Sequence, residues 1–119
     1  NQLVVTLAAA RAVHLGVRSL MIGTVRSDAR FADGRPEFVG LLDRLLAAQE
    51  GGLRLLAPAV DMSSAELVRV SGIPRDLLAW SHSCHVSENA CGRCRGCVKR
   101  GEVWADVGFS LIPATTMTR

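Results

Sequence analysis

The sequence is poor in aromatic residues and lacks tyrosine altogether, with 2 Trp and 3 Phe among 119 residues. A surface that binds single-stranded nucleic acid by base stacking needs several exposed rings, so this composition argues against such a surface. No apolar run approaches the roughly 20 residues that a membrane-spanning helix needs. No charged segment precedes an apolar one in the way typical of a signal peptide. We therefore expect a cytoplasmic protein without a membrane segment.

The chain also lacks a strong charge bias, since its net charge is only +3. This mild excess suits an anionic small ligand such as a nucleotide, and it also suits RNA. With 49% hydrophobic residues, a chain of 119 residues is long enough for one modest domain with a core. The first residue is Asn1 rather than Met, and an amphipathic pattern starts directly after it, so we expect the later part of a longer protein.

All four cysteines lie in one short segment, CHVSENACGRCRGC, which we call the cysteine loop (residues 84–97). Thiolates two residues apart reach one ion from a tight turn, and Gly92 and Gly96 let the backbone fold back. Four sulfur ligands with no open position predict a closed, structural, tetrahedral zinc site. Two disulfides or an iron–sulfur cluster are the alternatives, and His82 and His85 are weaker candidate ligands. The predicted zinc ligands are Cys84, Cys91, Cys94 and Cys97.

An apolar helix is predicted over residues 2–15. Leu3, Leu7 and Ala10 recur at three- and four-residue steps, which is the pattern of a helix buried along one side. Gly16 follows directly and suits the C′ position, where a helix commonly ends in a left-handed conformation.

Two strands and an intervening helix are predicted next. Residues 17–24 and 53–57 are apolar runs too short for helices, and the first is typical of a strand buried on both faces. Pro36 suits the first turn of a helix over residues 36–49. Together they predict one right-handed βαβ unit. Because two strands leave exposed edges, we expect further strands before Asn1 or a partner that completes the sheet, such as a second copy in a homodimer.

Short helices are predicted on either side of the cysteine loop. Ser63 and Glu66 form a capping-box pattern at the start of a helix over residues 64–71. Pro74 opens another turn, and the residues after Cys97 have a helical pattern. The tail has no periodicity and is expected to fray.

A polar loop follows the first predicted strand, and we call residues 26–35 the ligand loop. Ligands of open α/β sheets bind beyond the carboxyl ends of the strands, so this loop is a candidate binding site. Its charged residues are Arg26, Asp28, Arg30, Asp33 and Arg35.

In this order, the motifs resemble those of the 7-cyano-7-deazaguanine synthases and their close relatives, over about residues 1–108. The opening NQLVVTLAAARAVHLG is similar to the helix that begins with Arg-Asn in that family, and Asn1 matches the Asn of that motif. MIGTVRSD and DGRPEF resemble its strand, ligand loop and Asp-x-Arg-Pro-Glu-Phe signature. EGGLRLLAPAVDMSSAELVR resembles its Gly-Gly turn, strand and Ser-x-x-Glu helix, and WSHSCHVSENACGRCRGCVKR its zinc loop.

The resemblance implies an α/β fold in which helices flank a parallel sheet, the adenine-nucleotide alpha-hydrolase-like fold of ATP-pyrophosphatases. It places the C-terminal part of that domain at residues 1–80, the zinc loop and C-terminal helix at 81–108, and a tail at 109–119.

The resemblance also implies an ATP-dependent ligase that activates the carboxylate of a deazapurine with Mg-ATP, forms an amide with ammonia, and dehydrates the amide to a nitrile. A carboxylate is a poor electrophile, and adenylation supplies a leaving group. The family's Ser-Gly-Gly-x-Asp-Ser phosphate loop does not occur in this sequence and lies upstream in the family. We therefore expect this chain alone not to turn over ATP.

Binding residues follow from the resemblance position by position. Asp28 and Asp33 fall in the family's ligand loop, and Asn1 matches the start of a helix near the nucleotide. Arg35 and Glu37 belong to the Arg-Pro-Glu-Phe signature, where a local ion pair or helix cap is the alternative explanation.

Departures from the family pattern cluster in and near the ligand loop. Val25 stands where the family has Asn, and Ala29-Arg30-Phe31 replaces an aromatic-rich segment. This pattern is typical of an enzyme that applies the same activation chemistry to a different acceptor. The alternative hypothesis is therefore a divergent member in antiphage defence that modifies another nucleobase or a protein.

Two further hypotheses remain open at this point. One is a stand-alone zinc module that binds RNA or a protein through basic residues around the cysteine loop. The other is an inactive homologue retained for assembly. The basic residues concerned are Arg93, Arg95, Lys99 and Arg100.

Overall fold

The computed structural model describes residues 1–109, so that all but the first residue of the predicted tail lies outside the described residues. The chain divides into two compact units, the first formed by residues 1–63 and the second beginning at Ser64. The described residues contain five α-helices and one two-stranded parallel sheet. The predicted α/β class is confirmed, whereas the predicted domain boundary at residues 80–81 stays a prediction. None of the helices up to residue 109 is both long and apolar enough to cross a membrane.

The first helix, α1, spans Gln2–His14 and ends as its sequence predicts. Gly16 has a φ of +68°, a backbone conformation that costs glycine little because it has no Cβ. The N–H groups of Gly16 and Val17 donate to the carbonyls of Val13 and Ala12, each at 3.0 Å. The carbonyl groups in the last turn of α1 therefore accept hydrogen bonds from the residues that follow the helix.

The two strands of the first unit pair in parallel around one helix. Strand β1 spans Ser19–Met21 and pairs with β2, Arg54–Leu56, so that Leu20 lies opposite Leu55. Helix α2, Pro36–Gln49, connects them after two 3₁₀ turns, and Pro36 occupies its first turn as predicted. The parallel βαβ arrangement is confirmed, and both strands are shorter than the apolar runs that predicted them.

The core of the first unit lies between α1, α2 and one face of the sheet. The prediction that Leu3 and Leu7 point inward is wrong, because their side chains are 72% and 63% exposed. Helix α1 is apolar on nearly all sides, so its periodicity does not single out the buried face. The buried residues of this core are Val5, Ala9, Ala12, Val39, Leu42, Leu46, Leu53 and Leu55.

Only one face of the sheet is covered within the described residues. Leu55 is buried, whereas Leu56 and Met21, which point to the opposite face, are exposed. The prediction that the first strand is buried on both faces is therefore wrong for the described residues.

A carboxylate joins α2 to β2. Asp43 accepts hydrogen bonds from Nε and Nη2 of Arg54 at 3.0 and 2.8 Å and from the backbone N–H of Leu55 at 2.7 Å. The Arg54 guanidinium, more than any other group, lowers the pKa of Asp43. These three hydrogen bonds fix α2 against β2.

The second unit contains three helices, α3 at Ser64–Ser71, α4 at Arg75–Ala79 and α5 at Arg95–Asp106. Helix α5 begins before the residue at which its apolar pattern starts, because Cys94 caps it through its sulfur. The Arg69 side chain donates to the carbonyl of Asp106 and ties α3 to the end of α5.

Candidate functional site

The four cysteines converge on one point. Their sulfur atoms all lie within 4.8 Å of one another, with Cys91 and Cys97 at 4.0 Å and Cys84 and Cys94 at 3.9 Å. Sulfurs around a tetrahedral ion with bonds of about 2.3 Å are separated by about 3.8 Å, so the spacing fits a closed metal site. All four thiols are free, and among the described residues neither disulfides nor histidines join the cluster. The four cysteines are therefore able to hold one metal ion.

Backbone N–H groups point at the sulfurs. The N–H of Cys94 donates to Cys91 Sγ at 3.3 Å, and the N–H groups of Cys97 and His85 donate to Cys94 Sγ at 3.5 Å. Such bonds orient thiolate ligands and stabilise their charge. Cys94 is central to the site, since its sulfur also caps α5.

Hydrogen bonds and burial give the thiols different pKa values. The N–H groups of Val86 and Cys91 lower the pKa of Cys84 to about 5. The N–H of His85 contributes most to lowering the pKa of Cys94, whereas burial raises the pKa of Cys97 to about 11. The fold thus favours the thiolate, the form that binds metal, at two of the four ligands.

Gly96 allows α5 to pack closely against the start of the cysteine loop. It is buried, and a Cβ at this position would overlap the carbonyl of Ser83 and lie 2.8 Å from Nε2 of His85. Gly92 is required for a different reason, because its φ of +72° is left-handed. The sequence predicted a need for both glycines, but only the structure distinguishes their roles.

We expect Gly96→Ala to destabilise the second unit by about 1–3 kcal/mol, because the added methyl group has no space beside the carbonyl of Ser83. Gly101→Ala is the matched control on the same helix, since nothing lies within 4 Å of its added Cβ. That control should be neutral or stabilising, because alanine is the better helix former. Urea unfolding with bound zinc measured in parallel checks both variants. A Gly96→Ala protein as stable as Gly101→Ala would contradict the close contact with Ser83.

A second candidate site lies at the carboxyl end of β1. A cavity of about 460 Å³ opens there, a size within the range of small-molecule sites. It brings together three of the predicted binding residues, Asn1, Asp28 and Asp33. The remaining lining residues are Ile22, Gly23, Thr24, Phe31 and Gly34.

Hydrogen bonds fix the polar groups of this cavity. Asn1 donates from Nδ2 to the Asp33 carbonyl at 2.7 Å. Asp28 Oδ2 accepts from the Val25 N–H at 3.0 Å, and Gly34 packs against the Asp28 carbonyl. The Asp28 carboxylate and the backbone of Asp33 are therefore held in place at the cavity.

Arg35 and Glu37 do not line this cavity. Arg35 donates from Nε to the Ala29 carbonyl at 3.2 Å and precedes α2 as its N-cap residue. Glu37 lies in the first turn of α2, where its charge complements the helix dipole. Arg35 makes no side-chain cap bond, and both a binding role and the structural alternative stay predictions for these two residues.

Among the cavity residues that were not predicted site residues, Thr24 and Phe31 have the side chains best able to contact a ligand. Thr24 is buried, and its position at the end of a predicted strand is a signal that could have identified it. Phe31 is 47% exposed, and the Arg30 guanidinium lies 5.0 Å from its ring centre. Phe31 belongs to the predicted ligand loop, and the fold of that loop brings its ring to the cavity.

The fold and the two candidate sites define a class, namely an α/β protein with a polar cavity at its strand ends and four clustered cysteines able to hold a metal ion. Residues 1–108 match the family described as "Queuosine biosynthesis protein QueC". The chain belongs to this family.

Curated relatives carry the name 7-cyano-7-deazaguanine synthase. Those of Methanothrix thermoacetophila and Caldicellulosiruptor bescii are 32% and 35% identical over 92% and 91% of this chain. The relative from Stutzerimonas stutzeri is 32% identical over 92% of the chain. The matched regions cover 51%, 50% and 54% of these relatives, respectively, so the chain spans about half the length of the curated relatives it matches.

Proposed function

We propose that the protein containing this chain is an ATP-dependent ligase of the 7-cyano-7-deazaguanine synthase type. It activates the carboxylate of a deazapurine with Mg-ATP, uses ammonia to form an amide, and dehydrates the amide to a nitrile. The observation that carries this proposal is the cavity at the end of β1, where Asn1, Asp28 and Asp33 meet in a chain of the QueC family.

The ligand loop binds the deazapurine in this proposal. Asp28 and Asp33 accept hydrogen bonds from the N–H groups at the edge of the base, and the Asn1 side chain holds Asp33 in place. Preorganised acceptors discriminate strongly, because a ligand without the matching N–H leaves a carboxylate unpaired. The binding residues of this chain therefore select and orient the acceptor. ATP would supply the leaving group, and Mg²⁺ would stabilise the charge of its phosphates.

The cysteine loop binds structural zinc in this proposal. Four thiolates form a closed shell, which leaves no position for substrate or water. When zinc is bound, its charge favours the thiolate of Cys97 despite burial. A cytoplasmic location suits this site, because thiols stay reduced there.

A second candidate function is a divergent ligase that attaches its product to a different acceptor. The observation that favours it is Phe31, which lines the cavity and belongs to the segment that departs from the family pattern. A changed ring at the base-binding position alters which acceptor fits, while the activation chemistry is retained. A nucleobase or a protein in antiphage defence is the alternative acceptor.

The test is turnover of ATP to AMP by the longest encoded protein that contains this chain, with 7-carboxy-7-deazaguanine, in the presence and absence of ammonia. We expect AMP, pyrophosphate and a new nitrile only when ammonia is present. ATP binding without consumption of this carboxylate would favour the divergent ligase. A longest encoded protein that neither binds nor consumes ATP would contradict both and favour a zinc module or an inactive homologue.

A further inference from the structure

A second cavity, of about 420 Å³, lies within the second unit. The proposed ligase chemistry uses none of its residues, and none of them is a cysteine of the metal site. Its volume lies within the range of small-molecule sites. Its polar and aromatic lining residues are Trp80, Ser81, His82, Glu88, Asn89 and Arg100.

Two contacts hold the guanidinium of Arg100 in place. Its Nη2 donates to the carbonyl of Ala79 at 3.0 Å. Its guanidinium carbon lies 3.9 Å from the ring centre of Trp104, a cation–π contact. The Trp104 ring packs edge-on against Phe109 at 4.8 Å, which supports the stack. The guanidinium is therefore preorganised before any ligand binds.

Within residues 1–109, the described contacts of the Arg100 guanidinium are with a neutral carbonyl and an aromatic ring. Its Nε is buried and has no hydrogen-bond partner in this part of the chain. The ion pair described above involves other residues. Buried N–H groups and half-buried charges in native proteins normally have an acceptor. Nε is closed to solvent, so an oxyanion in the cavity would pair with the charge of the guanidinium as a whole rather than bond to Nε.

The rest of the lining fits such a ligand. Ser81, His82 and Asn89 add hydrogen-bond donors for the oxygens of an anion. Trp80 is 86% exposed and offers a flat ring at the same cavity. Glu88 is the acid of the lining, and its carboxylate is an acceptor for an N–H group of a ligand.

We propose that this cavity binds a small oxyanion, a phosphate or a carboxylate, carried by a flat nitrogen-bearing ring. The anion binds to Arg100, and the ring packs against Trp80. The proposal does not rest on the ligase function, because it uses no residue of the ligand loop.

The experiment uses the longest protein that contains this chain, labelled with 5-fluorotryptophan. The ¹⁹F signals of Trp80 and Trp104 are assigned with the variants Trp80→Phe and Trp104→Phe. Inorganic phosphate, AMP and nicotinate are the probes, and the last two distinguish phosphate from carboxylate as the anion. We expect saturable shifts of both signals with AMP or nicotinate, and inorganic phosphate should bind about tenfold more weakly than AMP if phosphate is preferred. No saturable shift with any probe at about 10 mM would overturn the proposal.

Variants separate the two halves of the site. Arg100→Gln should weaken binding at least about tenfold, because it removes the charge-assisted bonds. Arg100 also bonds to the carbonyl of Ala79, so Arg100→Gln removes a structural contact as well. If this variant does not fold, Trp80→Ala is the test, because it removes only an exposed side chain. Trp80→Ala, followed on the Trp104 signal, should weaken binding of the ring-bearing probe about tenfold and leave inorganic phosphate unchanged. Unchanged binding of that probe by Trp80→Ala would overturn the proposal.

Asp33→Asn is the control that separates this site from the ligase function. It should leave the Trp80 and Trp104 shifts unchanged, even if ligase turnover is lost. If Asp33→Asn abolishes the shifts, the probes report on the ligand loop, and the proposed second site is wrong.

Discussion

Replacing Cys94 by Ser should release the metal and destabilise the fold by several kcal/mol, because structural zinc contributes directly to the free energy of folding. Cys94 has the largest expected effect among the cysteines, since its sulfur accepts N–H bonds from His85 and Cys97 and caps α5. The substitution therefore removes a metal ligand and weakens a helix start together. Zinc content per chain and urea unfolding of the longest encoded protein measure the two effects.

The matched control for this prediction is His82→Ala. His82 lies two residues before Cys84, yet it does not belong to the sulfur cluster. This variant should retain one zinc per chain and nearly the stability of the parent protein. A Cys94→Ser protein that is equally stable without metal would contradict the structural role of zinc. Loss of zinc from His82→Ala would instead make this histidine a ligand.

Replacing Asp33 by Ala should lower kcat/KM of the longest encoded protein about 100-fold, while its melting temperature stays nearly unchanged. The carboxylate is half-exposed and lines the cavity at the end of β1, so its removal leaves no buried void. A hydrogen bond to a charged group contributes about 1.5–3 kcal/mol. The loss of about 3 kcal/mol of transition-state stabilisation corresponds to the expected decrease of about 100-fold in kcat/KM. Turnover of ATP to AMP and thermal unfolding are the two measurements.

Asp33→Asn and Glu102→Ala refine this test. The amide keeps the shape of the carboxylate and removes its charge, so it should lose most of the activity if Asp33 accepts from the base. Glu102 is an exposed acid of α5 that lines neither cavity, and its removal should change neither turnover nor stability. Normal turnover by Asp33→Ala would remove the ligand loop from the mechanism.

Local patterns predicted the features that depend on a few neighbouring residues. Pro36 at the start of α2 and Gly16 after α1 act through their own backbone angles, so no distant contact is needed to place them. The cysteine spacing likewise predicted the sulfur cluster, because short spacings bring side chains to one ion without help from the rest of the chain.

Burial was harder to predict than secondary structure. Along α1, apolar residues occur on every side, and the choice of Val5 and Ala9 over Leu3 and Leu7 depends on where α2 and the sheet lie. The strand β1 also has an uncovered face within the described residues, which its apolar sequence does not indicate. Hydrophobicity favours burial in general, and only tertiary neighbours decide which face is buried.

The sequence by itself determined that this chain has four clustered cysteines, a βαβ unit and a charged loop after its first strand, because each is a short-range pattern. Only the tertiary structure decided that Asn1 and Asp33 bond across the chain, that Gly96 must lack a side chain, and that Arg100 has a buried N–H without a partner. These features depend on distances between segments far apart in sequence, and no local propensity encodes such distances.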